Sequence, residues 1–308
     1  MKKFLCGLAL LLSLYLPACG DKTEDSPKSE LDNIFEKDTL LVLTGYNAYS
    51  YFIYKGQPMG FEHDLVKKLA EYLRITPVFI LEKSITDMFS LLNNKQGDLI
   101  AFNLTITKER IEKIAFVNYY NTTKQVLVQR KPDKWQRMMT HQIEKELIRD
   151  PAELIGKTIV VRNASSYIPR LKNLSNEIGG DINIVEADPE LTIENLIGQV
   201  ANGEIDYTIS DENIALLNEA SHNNIDVKTD ISLSQRIAWG VRQSSTELRD
   251  TINYWLDSIK TTQYFAVTYN RYYKNRYAYK RRIKSEYLSH EGGKISGYDE
   301  LIKESAIK

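Results

Sequence analysis

Residues 97–110 read GDLIAFNLTITKER, and residues 203–217 read GEIDYTISDENIALL. Each stretch contains a glycine, an acidic residue, an apolar strand pattern and polar groups at the point where the strand ends and a helix begins. Such a junction lies at the carboxyl edge of an open α/β sheet, which is where ligands of these sheets bind. Two junctions of one kind, one in each half of the chain, predict two sheets that present polar groups to a shared cleft.

Strand and helix patterns alternate on both sides of each junction. A continuous apolar run, DTLLVLTG, begins at Asp38, and an amphipathic helix pattern follows over residues 61–73. Alternation of this kind is typical of βαβ units and parallel sheets. We therefore predict an α/β fold of two lobes, with a hinge of crossing strands and a ligand cleft between the lobes. Lobe 1 is expected over residues 38–130 plus 236–275, and lobe 2 over residues 131–235.

Residues 1–19 have the pattern of a signal peptide, with lysines followed by an apolar run that is too short to cross a bilayer. Their last four residues, LPAC, resemble the lipobox of bacterial lipoproteins, in which the cysteine is lipidated, although Pro17 departs from that pattern. The alternative is an ordinary secretory signal with a chance cysteine. Residues 20–37 are expected to be a flexible tether. We therefore predict an exported protein anchored to the membrane by lipid at Cys19, on the periplasmic face of the outer membrane in a Gram-negative source.

Composition excludes several classes of function. The chain has 308 residues and a formal net charge of -1 with acids and bases interleaved, so it lacks the basic stripe of a nucleic-acid-binding protein. Signal cleavage would leave Cys19 as the single cysteine, with no thiol to pair. The 4 histidines lack metal-ligand spacing, and neither a glycine-rich phosphate loop nor a G-x-S-x-G motif is present. We expect no metal, no cofactor and no catalytic residue.

Two charged side chains at the junctions are the leading candidates for ligand binding. Arg110 follows the first junction, where a guanidinium can bind a carboxylate through two parallel hydrogen bonds. Thr105, Thr107 and the backbone N–H groups of the same helix start could hold that anion as well. Asp211 ends the opposing strand and could bind an ammonium group, so the pair suits a zwitterion. The alternatives are a solvated surface arginine and an aspartate that only caps a helix.

The order of these segments resembles family 3 of the extracellular solute-binding proteins, the binders of polar amino acids. The segments are LLVLTG, YFIYKGQPMGFEHDLVKKLAEYL, QGDLIAFNLTITKERIEKIAF, GKTIVVRNASS and GEIDYTISD, and the similarity covers residues 38–275. Residues 56–73 together with GEIDYTISD are most similar to the N-terminal regulatory domain of the membrane-bound lytic murein transglycosylases F. The resemblance implies the two-lobed periplasmic-binding-protein fold.

The resemblance also implies roles for the junction residues. Arg110 would bind a ligand carboxylate, and Thr105 would help through its backbone and hydroxyl. Asp211 would bind the α-amino group of the same ligand. Arg110 and Thr105 belong to the first junction and Asp211 belongs to the second, so the ligand would bridge the lobes.

Five further positions match the family's ligand contacts less closely. Arg162 and Ser166 would contact the ligand from lobe 2, although the turn between them lacks the usual glycine. Asn103 stands where many members have glycine, beside a backbone contact. Tyr51 and Phe52 fall where an aromatic ring covers the apolar part of the ligand, with packing inside the lobe as the alternative.

The lytic transglycosylases carry a lysozyme-like catalytic domain after the binding domain. Here residues 276–308 are expected to be a basic tail and connector. Glu304-Ser305 matches the catalytic Glu-Ser pair of that family, but it lacks the preceding glutamine and the following aromatic residue. We therefore expect a binding protein and not an enzyme.

Three functions remain open from the sequence. The chain could be a regulatory domain that senses an amino acid or a cell-wall peptide (a muropeptide) and acts with a murein hydrolase. It could be the receptor of an ABC importer, handing an amino acid to a membrane permease. It could also be an enzyme of the dehydratase kind on the same fold, which would need acid and base residues in the cleft. In each case the ligand would stabilise a closed state of the hinge.

Overall fold

The computed structural model describes residues 28–289, so the predicted signal peptide and the lipidation site at Cys19 lie outside the described residues. The first segment builds most of lobe 1. Its apolar runs form strands that are largely buried, as expected for a sheet covered on both faces. The helices and strands of this segment are α1 (Glu30–Glu36), β1 (Thr39–Thr44), β2 (Phe52–Tyr54), β3 (Gln57–Met59), α2 (Phe61–Leu73), β4 (Thr76–Leu81), α3 (Ile85–Asn93), β5 (Leu99–Thr105), α4 (Lys108–Ile111), β6 (Ala115–Phe116) and β7 (Asn121–Thr123).

The next segment forms lobe 2, a second α/β unit. The local sequence determines where its helices begin and end. For example, the helix Ile193–Asn202 starts in a capping box formed by Thr192 and Asn195 and ends at Gly203, which has the left-handed conformation. The helices and strands of this segment are β8 (Gln125–Arg130), α5 (Thr140–Glu146), β9 (Thr158–Val161), α6 (Tyr167–Ile178), β10 (Asn183–Glu186), α7 (Ile193–Asn202), β11 (Tyr207–Asp211), α8 (Glu212–Glu219) and β12 (Ile225–Asp230), with 3-10 turns at Trp135–Arg137 and Pro151–Leu154.

The last segment returns to lobe 1. Its longest helix buries Leu248, Ile252, Trp255 and Ile259 along one face, which is the amphipathic spacing of a helix packed on a sheet. The helices and strands of this segment are β13 (Gln235–Val241), α9 (Thr246–Ile259), α10 (Gln263–Tyr269), α11 (Arg276–Ile283) and β14 (Leu288–Ser289), with a π-helical turn at Asn270–Lys274.

The sheets are mixed. In lobe 1 a six-stranded sheet has the order β4-β1-β5-β13-β6, and β7 also pairs with β13. β1 is parallel to β4 and β5, as βαβ units require, whereas β13 is antiparallel to β5. In lobe 2, β8 lies between β11 and β12 and is antiparallel to both, while β9 and β10 are parallel. The prediction of parallel sheets is therefore wrong for β8 and β13, because each of these strands enters its sheet directly after the chain has crossed between the lobes and not from a βαβ unit.

Two neighbouring crossings join the lobes. β7 pairs with the start of β13, where Thr123 faces Gln235. β8 begins at Gln125 and pairs only within the sheet of lobe 2, so the first crossing lies at Lys124. The predicted lobe boundary at residue 130 is wrong by one strand, since an apolar run does not show which sheet it joins.

Residues 30–36, predicted to be part of a flexible tether, form α1 and pack against lobe 1. Ile34 is buried, and the carboxylate of Glu30 accepts a hydrogen bond from the buried guanidinium of Arg242 at 2.9 Å. Arg242 also donates to Asp98 at 3.1 Å. The tether prediction is wrong for these residues, because the helix buries Ile34 against lobe 1 and pairs Glu30 with Arg242.

Residues 263–289, here called the C-terminal strap, contact both lobes. In lobe 1, β14 pairs with β2 so that Leu288 faces Tyr54. In lobe 2, the buried hydroxyl of Tyr279 on α11 donates to Asn218 Oδ1 on α8 at 3.1 Å. The expectation of a basic tail over residues 276–308 is wrong for residues 276–289, because the tyrosines between the basic residues pack inward.

Candidate functional site

A small cavity of about 30 Å³, here called the inner cleft, lies between the lobes at the carboxyl ends of β5 and β11. Both predicted junctions open into it. Six of the eight predicted ligand residues line the cavity, three from each lobe: Asn103, Thr105, Arg110, Arg162, Ser166 and Asp211. The remaining lining residues are Tyr49, Ile85, Phe102, Ser165, Tyr167, Ile193 and Ile214.

Asp211 holds a buried carboxylate that is only partly satisfied. It is the N-cap residue of α8, but its side chain makes no capping hydrogen bond. Instead Asn103 Nδ2 donates to Asp211 Oδ2 across the cleft at 2.8 Å, and Oδ1 has no hydrogen-bond partner within the described chain. Burial raises the pKa of Asp211 to about 7, against the lowering effects of Arg110 and of the bond from Asn103. The free oxygen is therefore a place for a ligand cation.

Arg110 supplies the positive charge on the other side of the inner cleft. Its Nη1 donates to the Thr105 carbonyl at 3.0 Å, and its Nη2 donates across the lobes to the Ala164 carbonyl at 3.2 Å. Burial lowers the pKa of Arg110 to about 10, which still leaves it charged at neutral pH. A guanidinium has five N–H donors, so these two bonds leave others for a ligand carboxylate.

Thr107 does not line the inner cleft. Its hydroxyl accepts a hydrogen bond from the Arg110 backbone N–H at 3.3 Å, so it is the N-cap of α4. This cap holds the helix start that carries Arg110.

Hydrogen bonds connect the inner cleft to the two crossings. The hydroxyl of Ser166 donates to Thr105 Oγ1 across the lobes at 3.2 Å. Gln125 Nε2 contacts both Ser166 Oγ at 3.0 Å and Gln235 Oε1 at 2.9 Å. Gln125 and Gln235 are the first residues of β8 and β13, so the predicted ligand residues Thr105 and Ser166 and the residues at the crossings belong to one buried polar network.

Arg162 closes the edge of the inner cleft from lobe 2. Its Nη2 donates to the Lys83 carbonyl of lobe 1 at 2.6 Å, and its guanidinium carbon lies 5.4 Å from the centroid of the Phe102 ring. Nearby, Lys83 pairs with Glu190 of lobe 2 at 2.9 Å. With these contacts the structure is a closed state of the two lobes.

Tyr51 and Phe52, predicted to cover the ligand, do not line the inner cleft. The Tyr51 ring packs against Phe79 with centroids 5.2 Å apart. Phe52 is fully buried in lobe 1, with its centroid 6.1 Å from that of Tyr272. Packing inside the lobe, the alternative considered from the sequence, accounts for both rings.

Tyr49 is an aromatic residue that lines the inner cleft but was not predicted from the sequence. It lies in the loop that leaves the carboxyl end of β1, and its carbonyl accepts a hydrogen bond from the Phe61 N–H at 2.7 Å. Gly60 has a φ of 141°, and a Cβ there would lie 2.0 Å from the Ser50 carbonyl oxygen, so this close approach requires glycine. The sequence signal was the position of this loop after β1, because loops at the carboxyl ends of strands lie at the cleft edge, but that signal does not single out Tyr49 from the neighbouring aromatic residues.

Tyr167 is a second missed residue. It lies on the first turn of α6, and its hydroxyl accepts a hydrogen bond from the Asp211 backbone N–H at 3.2 Å. Burial raises the pKa of Tyr167 well above its usual range, so the hydroxyl stays protonated. It therefore fixes the backbone of Asp211 without adding charge.

A larger cavity of about 700 Å³, here called the outer chamber, adjoins the inner cleft. The two share Ile85, Arg110 and Ser165, so Arg110 lies at the boundary between them. The outer chamber has room for far more than one amino-acid side chain. Its other lining residues include charged residues from both lobes and two asparagines at the end of α3: Glu109, Lys113, Lys172, Glu186, Asn93 and Asn94.

Between residues 28 and 289, no cluster of three or more His, Cys, Asp or Glu side chains could hold a metal ion. No helix in that range combines the length and apolar character needed to cross a membrane.

Sequence comparison matches the chain to a family model and to named relatives. The model of the bacterial extracellular solute-binding proteins, family 3, matches residues 39–275. A membrane-bound lytic murein transglycosylase F from Desulfosudis oleivorans is 37% identical over 234 residues, which are 76% of this chain and 48% of the relative. A protein of the same name from Aliivibrio fischeri is 27% identical over 80% of this chain and 47% of its own length. The chain thus spans about half the length of the curated relatives it matches.

Solved structures share the fold. The holo form of ArgBP from T. maritima superposes with a TM-score of 0.62 at 24% identity, covering 77% of this chain and 96% of that one. The ancestral amino acid-binding protein AncCDT-1, a precursor of cyclohexadienyl dehydratase, gives a TM-score of 0.65 at 21% identity, covering 80% of this chain and all of that one, 100%. Residues 28–289 therefore hold a two-lobed solute-binding domain, and no transglycosylase domain is found in that range.

Proposed function

The chain belongs to family 3 of the bacterial extracellular solute-binding proteins, and on that premise we propose that its lobes close on a small ligand carrying both a carboxylate and an ammonium group. One observation carries the proposal: Asp211 Oδ1 is buried without a hydrogen-bond partner in a cavity that also holds Arg110. A ligand ammonium at Asp211 would supply the missing partner, and a ligand carboxylate would use the remaining donors of Arg110. Thr105, Ser166, Arg162 and Asn103 would complete the contacts.

The ligand is an amino-acid-like molecule or a cell-wall peptide. An inner cleft of about 30 Å³ accepts a free amino acid only if the lobes separate to admit it. A peptide could keep its charged end at Arg110 and extend into the outer chamber, where Lys113 and Lys172 face it from opposite lobes. The size and mixed charge of the outer chamber favour the peptide.

We infer that the domain is the regulatory part of a lytic-transglycosylase-type protein. The 37% identity to a murein transglycosylase supports this role, in which ligand binding reports on the state of the cell wall and a murein hydrolase does the cutting. A lipid at Cys19, on the periplasmic face of the outer membrane, would hold the domain near the peptidoglycan. The alternative is the receptor of an amino-acid ABC importer with a membrane permease as its partner, and the shared fold with ArgBP supports that role.

Calorimetric titration with free amino acids and with muropeptides tests the ligand proposal. Arg110→Ala and Asp211→Ala should each weaken binding by about a hundredfold or more, since each leaves the opposite ligand charge unpaired in a buried site. Arg249→Ala and Asp250→Ala are matched controls, because the half-buried Arg249 and the exposed Asp250 pair with each other at 3.1 Å outside the cleft. The controls should bind as the unmutated protein does.

Either of two results contradicts this assignment. The charge pair is wrong if Arg110→Ala and Asp211→Ala both bind with unchanged affinity. The ligand class is wrong if neither free amino acids nor muropeptides bind. Binding of amino acids with equal or higher affinity than muropeptides would favour the importer receptor.

A further inference from the structure

Four residues form one exposed stripe on α11, here called the basic stripe: Tyr277, Lys280, Arg281 and Lys284. Their spacing of i, i+3, i+4 and i+7 brings them to the same side of the helix. The Tyr277 side chain is 79% exposed, and the three cations beside it are exposed as well. The stripe therefore combines an aromatic ring and three positive charges on one surface.

The opposite side of α11 is fixed to the body. Tyr279 is buried and bonds to α8, as described above. The buried guanidinium of Arg282 lies 5.3 Å from the centroid of the Phe52 ring and 5.7 Å from that of Tyr272. A helix held this way presents its outer side without first having to become ordered.

The body does not neutralise the charges of the basic stripe. Within residues 28–289 none of its three cations forms an ion pair, whereas Arg276 of the same helix lies 3.6 Å from the Glu219 carboxylate. Cations near the end of a helix also suit its dipole. The dipole does not account for an exposed tyrosine among them.

We propose that the basic stripe docks the protein on a bilayer that carries anionic phospholipid headgroups. Clusters of lysine and arginine are attracted to such surfaces, and tyrosine is enriched at the membrane interface. A single acyl chain gives only weak membrane binding, and a basic patch is a second contact that makes attachment stable. The stripe would add that second contact to the lipid proposed at Cys19.

Vesicle co-sedimentation of the chain from residue 20 onward, which carries no lipid, tests the proposal. The two vesicle types are phosphatidylcholine alone and phosphatidylcholine mixed with phosphatidylglycerol. Three cations should raise partitioning into the anionic vesicles by about a hundredfold. Salt at about 0.5 M should remove most of that gain, because screening shortens the reach of the charges.

Charge-reversal variants distinguish the effect of the basic stripe on vesicle binding from the effect of net charge. The triple variant Lys280→Glu, Arg281→Glu and Lys284→Glu should lose the preference for anionic vesicles. The matched control reverses Lys67, Lys95 and Lys157, which are exposed elsewhere on the two lobes, and should keep most of it. Tyr277→Ala should weaken vesicle binding several-fold without changing the charge. Circular dichroism checks that each variant is folded.

Three outcomes overturn the proposal. The unmutated protein could bind both vesicle types equally, and this outcome can be observed without any variant. Both triple variants could lose binding equally, which would mean that net charge and not the stripe is responsible. Soluble polyphosphate could bind the basic stripe as well as anionic vesicles do. This result would indicate an anionic partner other than a bilayer. Ligand titration of the same variants should be unchanged, so failure here is distinct from failure of the cleft assignment.

Discussion

At the scale of single residues, the inner cleft holds two opposite charges that form no direct ion pair. Asp211 is bonded to Asn103 and Arg110 to two backbone carbonyls, so each charge is held in place by neutral groups. Arg110 lowers the pKa of Asp211 and Asp211 raises the pKa of Arg110, but burial has the larger effect on the pKa of each group. The arrangement leaves both charges available to a ligand that carries their counterparts.

Ligand affinity should depend on pH through Asp211. Its pKa is about 7 in the closed, unliganded structure, and a bound ammonium would lower it, so binding below pH 7 must expel a proton. The affinity should be constant above about pH 8 and should fall by about tenfold for each pH unit below 7 until the pKa of the complex is reached. Calorimetry across about pH 5 to 8 measures this.

Asp211→Asn is the control for the pH experiment. It cannot ionise, so its weaker binding should change little over the same pH range. A flat profile for the unmutated protein would mean that Asp211 is not the ammonium site.

The sequence predicted the charged residues that line the inner cleft but none of its aromatic ones. Arg110 and Asp211 were found because each follows an apolar strand at a point where chain direction is fixed by sheet topology. Tyr49 was missed in favour of Tyr51 and Phe52, because three aromatic residues lie close together in a loop and spacing does not show which one turns toward the cleft. Only the contact of the loop with the start of α2 decides that.

At the scale of helices and strands, the C-terminal strap is the feature that sequence patterns described least well. Only residues 276–289 of the strap were expected to be part of a basic tail, because lysine, arginine and tyrosine have low hydropathy, whereas residues 263–275 were expected to belong to lobe 1. The buried residues of the strap include Tyr272, Tyr273 and Tyr279, whose rings fill space between α2, α8 and β2. Tyrosine rings carry enough apolar surface to fold a segment that contains few aliphatic residues.

Tyr279→Phe should destabilise the protein through loss of the bond to Asn218. The change leaves Asn218 Oδ1 buried with one partner fewer, at a cost of about 1–2 kcal/mol. The melting temperature should fall by about 2–8 °C. Differential scanning calorimetry measures the shift.

The same strap provides the control. Tyr277→Phe removes a hydroxyl from a side chain that is 79% exposed, so its melting temperature should stay near that of the unmutated protein. Equal shifts in the two variants would mean that the Tyr279 hydroxyl does not hold α11 on α8.

At the scale of the whole molecule, side chains of the site hold the lobes together. Asn103 to Asp211, Arg110 to the Ala164 carbonyl and Arg162 to the Lys83 carbonyl all cross the cleft. The fold class and the inter-lobe position of the site followed from the alternation of strands and helices. The closed state did not, because it depends on side-chain contacts between segments that are far apart in sequence.

Asn103→Ala should shift the unliganded protein toward an open state. The loss of a hydrogen bond to a carboxylate changes an equilibrium by about 1.5–3 kcal/mol, or roughly 10- to 100-fold. Small-angle scattering should then show a larger radius of gyration, and ligand should reduce it again. Asn202→Ala is the control, because that exposed side chain bonds only within lobe 2, to Glu204 at 3.0 Å. An unchanged radius for Asn103→Ala would show that the other cross-lobe contacts suffice.

The short helix α8 has Asp211 at one end and Asn218, which is bonded to the strap, near the other. Its eight residues span only about 12 Å, and a helix of that length moves as a rigid rod. A ligand that moves Asp211 must therefore also move Asn218, and the bond between Asn218 and the strap resists that movement. Because the strap joins α8 to lobe 1, it resists movement of the lobes in parallel with the hinge, so the stiffness of a surface segment outside the cleft helps to set how tightly the ligand is held.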